Sequence, residues 1–396
     1  MQIKSYCFDC GKYKIFHIEN WLEDLSSFLP QINIPKKLNL FLDSFLRNIF
    51  IVSGLLKYVP IKDLNSLNIP PRTKLFILEA QKNNWKFYIG KSFFGETVNF
   101  MVKIQNKKIY FTGLPVADFL NSKISLLDNK DYVKKILKQN NLPIAEGKYF
   151  WFWQKKKALN YAKKIGWPVV VKPRTGTFAR HITTNILNEN DLLKAILKAR
   201  EYAPTFIVEK FIDNAFVHRG TVIDFKDVFC VKQIPANVIG DGKSKIKELI
   251  ELKNKDPMRK DKESKNAVFY KILINKTTDE LLKQQGLNYE SIPEKGKVVY
   301  LQKDPFLRLG GDLEEVTFKM HPDNKELFLK IAKIFNVKVV GIDFIIPDIS
   351  KSFKEQKCAI LELNTSPCIE LHYFVNSGKP QNIAKSMVEF FKKYYL

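Results

Sequence analysis

The sequence predicts a mixed α/β chain of the α+β kind, and three observations carry that expectation. Short runs rich in β-branched and other apolar residues, at 168–171, 205–209 and Val339–Ile346, have the length and composition of buried strands. They alternate with longer amphipathic stretches. In Lys130–Gln139, for example, Tyr132, Val133, Ile136 and Leu137 fall on one helical face. The length of 396 residues, with 45% hydrophobic content and no long polar tract, allows one to three domains with sizeable cores.

The elements follow in order. Residues 1–72 open with strand-like residues at 13–18 and turn helical at 21–29 and 38–56; Pro70-Pro71 punctuates their end. This stretch reads as an accessory N-terminal segment. A helix at 74–83 and strands at 85–89, 100–104 and 108–111 suggest a small α/β domain over 73–125. A second unit, 126–212, holds helices Lys130–Gln139, Lys155–Ile165 and 189–202, the last capped by Asn190 or Asp191, with strands at 168–171, 181–186 and 205–209. The third, 213–396, has strands at 221–225 and 228–233 and helices at 245–252 and 324–335. It also has an insertion at about 253–296, whose polar part lies on the surface, and a closing helix at 381–394.

Charge bounds the partners. The 65 basic and 41 acidic residues give a formal net charge of +24. Such a balance favours polyanions, but the lysines are scattered, which argues for a solvated surface and against nucleic acid. The stretch 38–59 is interrupted by Asp43, Arg47 and Lys57, too polar for a membrane span. The first residues lack a signal-peptide pattern, and five irregularly spaced cysteines form no disulfide framework, so a reducing cytoplasm is expected. Cys7 and Cys10 form a Cys-x-x-Cys with His17 nearby. A zinc site needs four ligands, so the pair does not make one by itself.

The chemistry-bearing residues lie on strands. Asp343 sits mid-strand in Val339–Ile346, and Glu362 and Asn364, two residues apart, leave one face of the next strand. If the two strands pair, three oxygen-bearing groups converge in a set suited to Mg²⁺ with nucleotide phosphates; otherwise the acids simply exit two edge strands. Lys172 emerges where Pro173 breaks a strand and can hold a phosphate as a point charge. Behind it, 174–180 is a small-residue turn able to aim backbone N–H groups at an anion. The strand ending at Glu209, with the turn after it, can offer backbone groups to an adenine edge. Gly240-Asp241-Gly242-Lys243-Ser244 imitates a phosphate-binding P-loop. However, Asn237 stands where that loop needs glycine, so it reads as a tight turn capping a helix.

Taken together, a lysine, a strand-Lys-Pro with its turn, a strand-Glu hinge, then Asp and Glu-x-Asn strands resemble the ATP-grasp superfamily of carboxylate–amine ligases. Segments 233–244, 254–259, 310–317 and 321–324 are similar to the ATP-grasp module of cyanophycin synthetases and bifunctional glutathione synthetases, and the resemblance spans roughly 74–396. It implies an ATP-grasp fold, two α/β subdomains gripping ATP behind a small preceding domain. It implies Lys130 and Lys172 on the ATP phosphates, Glu209 and Phe211 bordering adenine, and Asp343, Glu362 and Asn364 on two Mg²⁺ ions. Arg219 and Arg308 would steady the transferred phosphoryl group or a substrate carboxylate. The implied reaction converts a carboxylate of an amino acid or peptide to an acyl phosphate, which an amine then captures as an amide. Loops 174–182 and 233–244 are the expected lids.

Departures from the family pattern also stand in the sequence. Ala179 and His181 replace phosphate-loop glycines, Val217 an acidic residue, Gln233 an arginine, Phe306 an asparagine and Cys368 a glycine. They motivate the alternative of a degenerate ATP-grasp protein that binds nucleotide or a partner without turnover. The substrates and the oligomeric state, a homo-oligomer included, are left open by the sequence.

Overall fold

The computed structural model describes residues 7, 15–28, 36–93, 95–117, 127, 130–176, 180–213, 215–262, 264 and 266–396, with the backbone alone for 15–16 and 36–43. The chain starts with two helices, α1 (Ile15–Ser26) and α2 (Lys36–Val52). Where a strand was expected from residue 13, the chain is helical from Ile15; residues 13 and 14 lie outside the described residues. The reason is that the buried face of α1 is polar. Asn20 and Asp24, four apart, are 3% and 0% exposed, whereas Ile18 and Leu22 are 63% and 62% exposed. A helix anchored by polar residues gives a weak apolar period, so the helix expected from residue 21 is not read back to residue 15.

An antiparallel meander follows, β1 (Lys57–Pro60), β2 (Lys86–Ser92), β3 (Gly95–Ile104) and β4 (Lys107–Thr112), with α3 (Pro71–Gln81) between its first two strands. Pro70-Pro71 starts this helix: Pro71 takes the first helical position, where a missing N–H costs nothing. Next come α4 (Lys130–Gln139), β5 (Gly147–Trp151), α5 (Lys155–Ile165), β6 (Val169–Pro173), β7 (Thr183–Ile186), α6 (Glu189–Arg200) and β8 (Thr205–Lys210). Their sheet has the order β5-β8-β6-β7, with α5 and α6 packed on it through Ala158, Ala162, Leu192 and Ile196. The cap of α6 is Asn188, whose side chain accepts from the Asp191 N–H at 3.0 Å, not Asn190 or Asp191.

The last part contributes β9 (Phe216–Ile223), β10 (Asp227–Ile234), β11 (Asn237–Ile239), α7 (Ile246–Asn254), β12 (Arg259–Lys260), β13 (Phe269–Tyr270), α8 (Lys276–Gln284), β14 (Val298–Tyr300), β15 (Asp312–Glu315), α9 (Pro322–Ile334), β16 (Val339–Ile346), β17 (Ala359–Asn364), α10 (Glu370–Tyr373) and α11 (Ile383–Tyr395). The central sheet runs β15-β10-β9-β16-β17, antiparallel throughout, so the architecture is α+β. Gly240–Ser244 forms the expected turn: the Asp241 carboxylate accepts from the N–H groups of Lys243 and Ser244 at 2.8 and 2.7 Å. The charged stretch after Lys253 is not all surface. Arg259 is buried and, with Lys253, pairs with Asp312 of β15.

Two cores flank the central sheet. On one side α4 and α9 pack Val133, Leu137, Phe328 and Ile331 against Val222, Ile342 and Phe344. On the other, α11 returns to α3 and the meander, burying Met387, Phe390 and Phe391 with Phe76, Phe100, Phe111, Ile223 and Val339. Phe391 is central here, with ring centroids 5.7 Å from Phe76, 5.3 Å from Trp85 and 4.7 Å from Tyr395. Truncating Phe391→Ala leaves a cavity among these rings and is expected to cost about 3–5 kcal/mol. An earlier unfolding transition in chemical denaturation, monitored by tryptophan fluorescence, checks it.

Candidate functional site

Register builds one wall of the site. In the antiparallel pair β16–β17, Asp343 stands opposite Glu362 and Gly341 opposite Asn364, with a bulge just after Asp343. The Asn364 amide nitrogen lies 3.5 Å from Asp343 Oδ2 and 3.5 Å from Glu362 Oε1, so the three oxygen-bearing side chains do converge. On the other flank β9 sets Arg219 directly opposite Asp343. The guanidinium grips that carboxylate with both prongs, Nε to Oδ1 at 2.5 Å and Nη2 to Oδ2 at 2.9 Å. Gly341 leaves room for this arginine: a Cβ there would meet its Cδ and Nη1 at 3.4 Å.

The lysines come from the facing unit. The loop after α4 is tied to β17 where the Ile360 N–H donates to the Pro143 carbonyl at 2.9 Å, and Ile144 bridges Ile360. That connection brings Lys130, the first residue of α4, to the carboxylates: its Nζ is 3.7 Å from Glu362 Oε2 and donates to the Gly176 carbonyl at 3.3 Å. Lys172, at the exit of β6, reaches Glu209 Oε1 of β8 at 2.5 Å. The other oxygen of Glu209 accepts from Lys134 at 2.5 Å. Lys134 was missed in the sequence, although its spacing of four from Lys130 puts both on one helical face. The Glu209 carboxylate therefore faces lysines, and the Phe211 N–H donates to the Pro168 carbonyl at 3.1 Å. Arg308 has partners of its own. It donates to the Lys262 carbonyl at 3.2 Å and lies over the Tyr270 ring at 5.8 Å.

Two further residues border the cluster without a sequence signal. Arg72 of α3 donates to the Ser366 carbonyl at 3.0 Å and lies 3.7 Å from Cys368 Sγ. Burial pushes the Cys368 thiol up to about 11, so at neutral pH it is a thiol and not a nucleophilic thiolate. Deeper, Arg174 is buried behind Lys172. It donates to both the carboxylate and the carbonyl of Asp24 in α1, each at 3.1 Å, and to Ser27, while Thr205 donates to Asp24 at 2.6 Å. Of the replaced loop glycines, Ala179 lies outside the described residues, and His181 is buried.

Charge is concentrated and desolvated. Burial, then the facing Glu362, raises Asp343 to about 6 against the pull of Arg219. Burial also pushes Glu362 up, but Lys130, the hydrogen bond with Asp343 and Arg219 outweigh it and hold it at about 2. The two facing carboxylates titrate as one unit, with Glu362 ionised first. Two carboxylates and an amide, whose oxygen faces inward after an end-for-end turn, form a hard-oxygen donor set. Each carboxylate oxygen bonded by Arg219 keeps a second lone pair, so the set fits Mg²⁺. Burial lowers Lys130 from its ordinary value, and Lys172 adds to that, against the pull of Glu362.

Burial also acts to raise Glu209, but Lys172 and Lys134 outweigh it and bring it to about 2 from an ordinary 4.5. Its folded value is depressed, so the stability it contributes is present above pH ~4.5 and is lost as pH falls towards ~2. Glu209→Gln leaves two lysines facing each other without their counter-charge. It is expected to cost about 3–5 kcal/mol at pH 7. The gap from wild type should close as pH falls through that window, measured by denaturation at a series of pH values.

Comparison with known proteins bears on the family and the fold. The family model described as "Carbamoyl-phosphate synthase L chain, ATP binding domain" matches residues 129–284. The cyanophycin synthetase of Trichormus variabilis is 30% identical over 338 residues, 83% of this chain and 36% of that protein. The glutathione biosynthesis bifunctional protein of Clostridium perfringens is 30% identical over 322 residues, 80% of this chain and 40% of that one. Among solved structures, a bifunctional glutathione synthetase from Pasteurella multocida superposes with a TM-score of 0.60 at 24% identity, covering 82% of this chain and 44% of that one, and shows the shared fold. The chain thus spans about two fifths of the length of these curated relatives. With a matching ATP-binding model, these relatives and this fold, the chain belongs to the ATP-grasp superfamily.

Proposed function

We propose that the chain is an ATP- and Mg²⁺-dependent ligase that joins a carboxylate to an amine of amino-acid or peptide substrates. One observation carries the reading: Asp343, Glu362 and Asn364 gather on one sheet, and Lys130 links them to the phosphate-side loop by contacts to both Glu362 and Gly176. In this reading residues 126–212 and 213–396 are the two gripping subdomains, 73–125 the small preceding domain and 1–72 an accessory segment.

Asp343, Glu362 and Asn364 hold Mg²⁺, two ions in our reading, which when bound neutralises phosphate charge. Lys130 and Lys172 bind the ATP phosphates, and Glu209, fixed between Lys134 and Lys172, keeps the second lysine aimed. Residues around Glu209 and Phe211 border the adenine. Arg219, fixed in position by Asp343, is oriented to steady the transferred phosphoryl group; Arg308 serves the substrate carboxylate. A carboxylate oxygen attacks the γ-phosphorus, the bond to the β-phosphate oxygen breaks, and ADP leaves. The amine nitrogen then attacks the acyl carbon, forming the C–N bond as phosphate departs and the nitrogen loses its proton. Such catalysis is positioning and charge neutralisation in a site closed to water.

Release of ADP and phosphate is measured across a panel of amino acids and dipeptides. Glu362→Gln is expected to lower the rate on the order of 10²–10³-fold while the protein stays folded. Equal rates in the two proteins would reject the metal assignment. ATP binding by calorimetry with no turnover on any panel substrate would favour a nucleotide-binding protein without ligase activity.

A further inference from the structure

The N-terminal segment meets the phosphate-side loop at a small cluster, buried at Cys7 and His181 and half-buried at His17. Cys7, His17 and His181 bring one thiol and two imidazoles together, with their ligand atoms all within 4.8 Å of one another. Cys7 Sγ is 3.3 Å from His181 Nε2. Ligands at about 2.3 Å (sulfur) and 2.0–2.1 Å (nitrogen) around a tetrahedral zinc lie roughly 3.5 Å apart, so this spacing already approximates a zinc edge.

Two independent features point the same way. His181 Nδ1 lies 2.8 Å from the Lys198 carbonyl, an acceptor that fixes the proton on Nδ1 and turns the lone pair of Nε2 toward Cys7. Second, His181 occupies a left-handed backbone conformation, φ 56°, which glycine adopts more easily than a residue with a side chain. A side chain is retained where none is the easier choice, and such strain gathers at functional positions. Tyr202 stacks on His181 with ring centroids 5.0 Å apart and planes at 11°, which holds the imidazole in place. In the sequence Cys7 begins a Cys-x-x-Cys pair, a spacing used by zinc sites; Cys10 itself lies outside the described residues.

We propose that Cys7, His17 and His181 bind one zinc ion, with water as the fourth ligand, and that this ion clamps the N-terminal segment onto the loop following Lys172. Thiolate and imidazole donors select zinc over the hard cations suited to the carboxylate site. The thiol gives its proton to water as the Zn–S bond forms. The clamp acts beside Gly176, the residue whose carbonyl accepts from Lys130, and so bears on the placement of the phosphate loop.

The test uses the full chain, stripped with a chelator and titrated with Zn²⁺ or Co²⁺ without ATP. The expected result is one zinc retained per chain, and a cobalt form with a thiolate-to-metal charge-transfer band and intense tetrahedral visible bands. Cys7→Ser should weaken the charge-transfer band. His181→Gly, which accepts the φ of 56°, should weaken zinc binding by at least the roughly 10–100-fold that outer-shell changes cause. His17→Asn repeats the test should the glycine variant not fold. Substoichiometric zinc, a pale oxygen-ligated cobalt spectrum, or a spectrum unchanged by Cys7→Ser would overturn the site. None of these readouts needs turnover, so the clamp and the ligase reading fail separately.

Discussion

The site depends on one constraint: Asp343 is held in register between Arg219 on β9 and Glu362 on β17. A carboxylate in the middle of a buried sheet is expensive unless it is paired. Here it is paired on one side and opposed on the other, which leaves a local excess of negative charge toward the cleft. Lys130 faces that excess from the second unit, and Lys172 and Lys134 face each other across Glu209. The two walls are electrostatic complements that do not fully neutralise each other, the condition under which a polyanion and its counter-ion find a place between them.

Much of this was readable from residue types. A carboxylate breaking a β-branched run, and a Glu-x-Asn on the next, announced their strands and their shared face. The alternation of two also fixed which side chains could meet. Lys172 was marked by Pro173. What the sequence could not give was the partner of each charge. Glu209 looked like a hinge residue and proves to be the counter-ion of two lysines, because strand β8 lies beside β6 and below α4. Arg308, named with Arg219 through the family resemblance, has the Lys262 carbonyl and the Tyr270 ring as its partners, contacts that composition does not reveal.

The N-terminal segment was the least legible part, for a physical reason. Its buried polar contacts are long in sequence: Asp24 with Arg174, Asn20 with the Tyr202 carbonyl at 2.9 Å, Cys7 with His181. Helical periodicity reports apolar faces, and α1 turns Ile18, Leu22 and Leu25 outward. Gly176 shows how close the segment comes. With φ 105°, its missing side chain would overlap Tyr202 at 2.5 Å and meet the Asn20 amide oxygen at 3.0 Å. The segment read as an accessory is thus packed directly on the loop that follows Lys172.

The return of α11 onto the first sheet has a consequence for biosynthesis. Phe76, Phe87, Phe100 and Phe111 are all on the nascent chain well before Met387, Phe390 and Phe391 exist to cover them. At roughly 5–20 residues per second, that aromatic surface waits for tens of seconds on the ribosome with its lid unmade. During that window the growing polypeptide is a natural client for holding chaperones, and slowing translation near its end would lengthen the exposure.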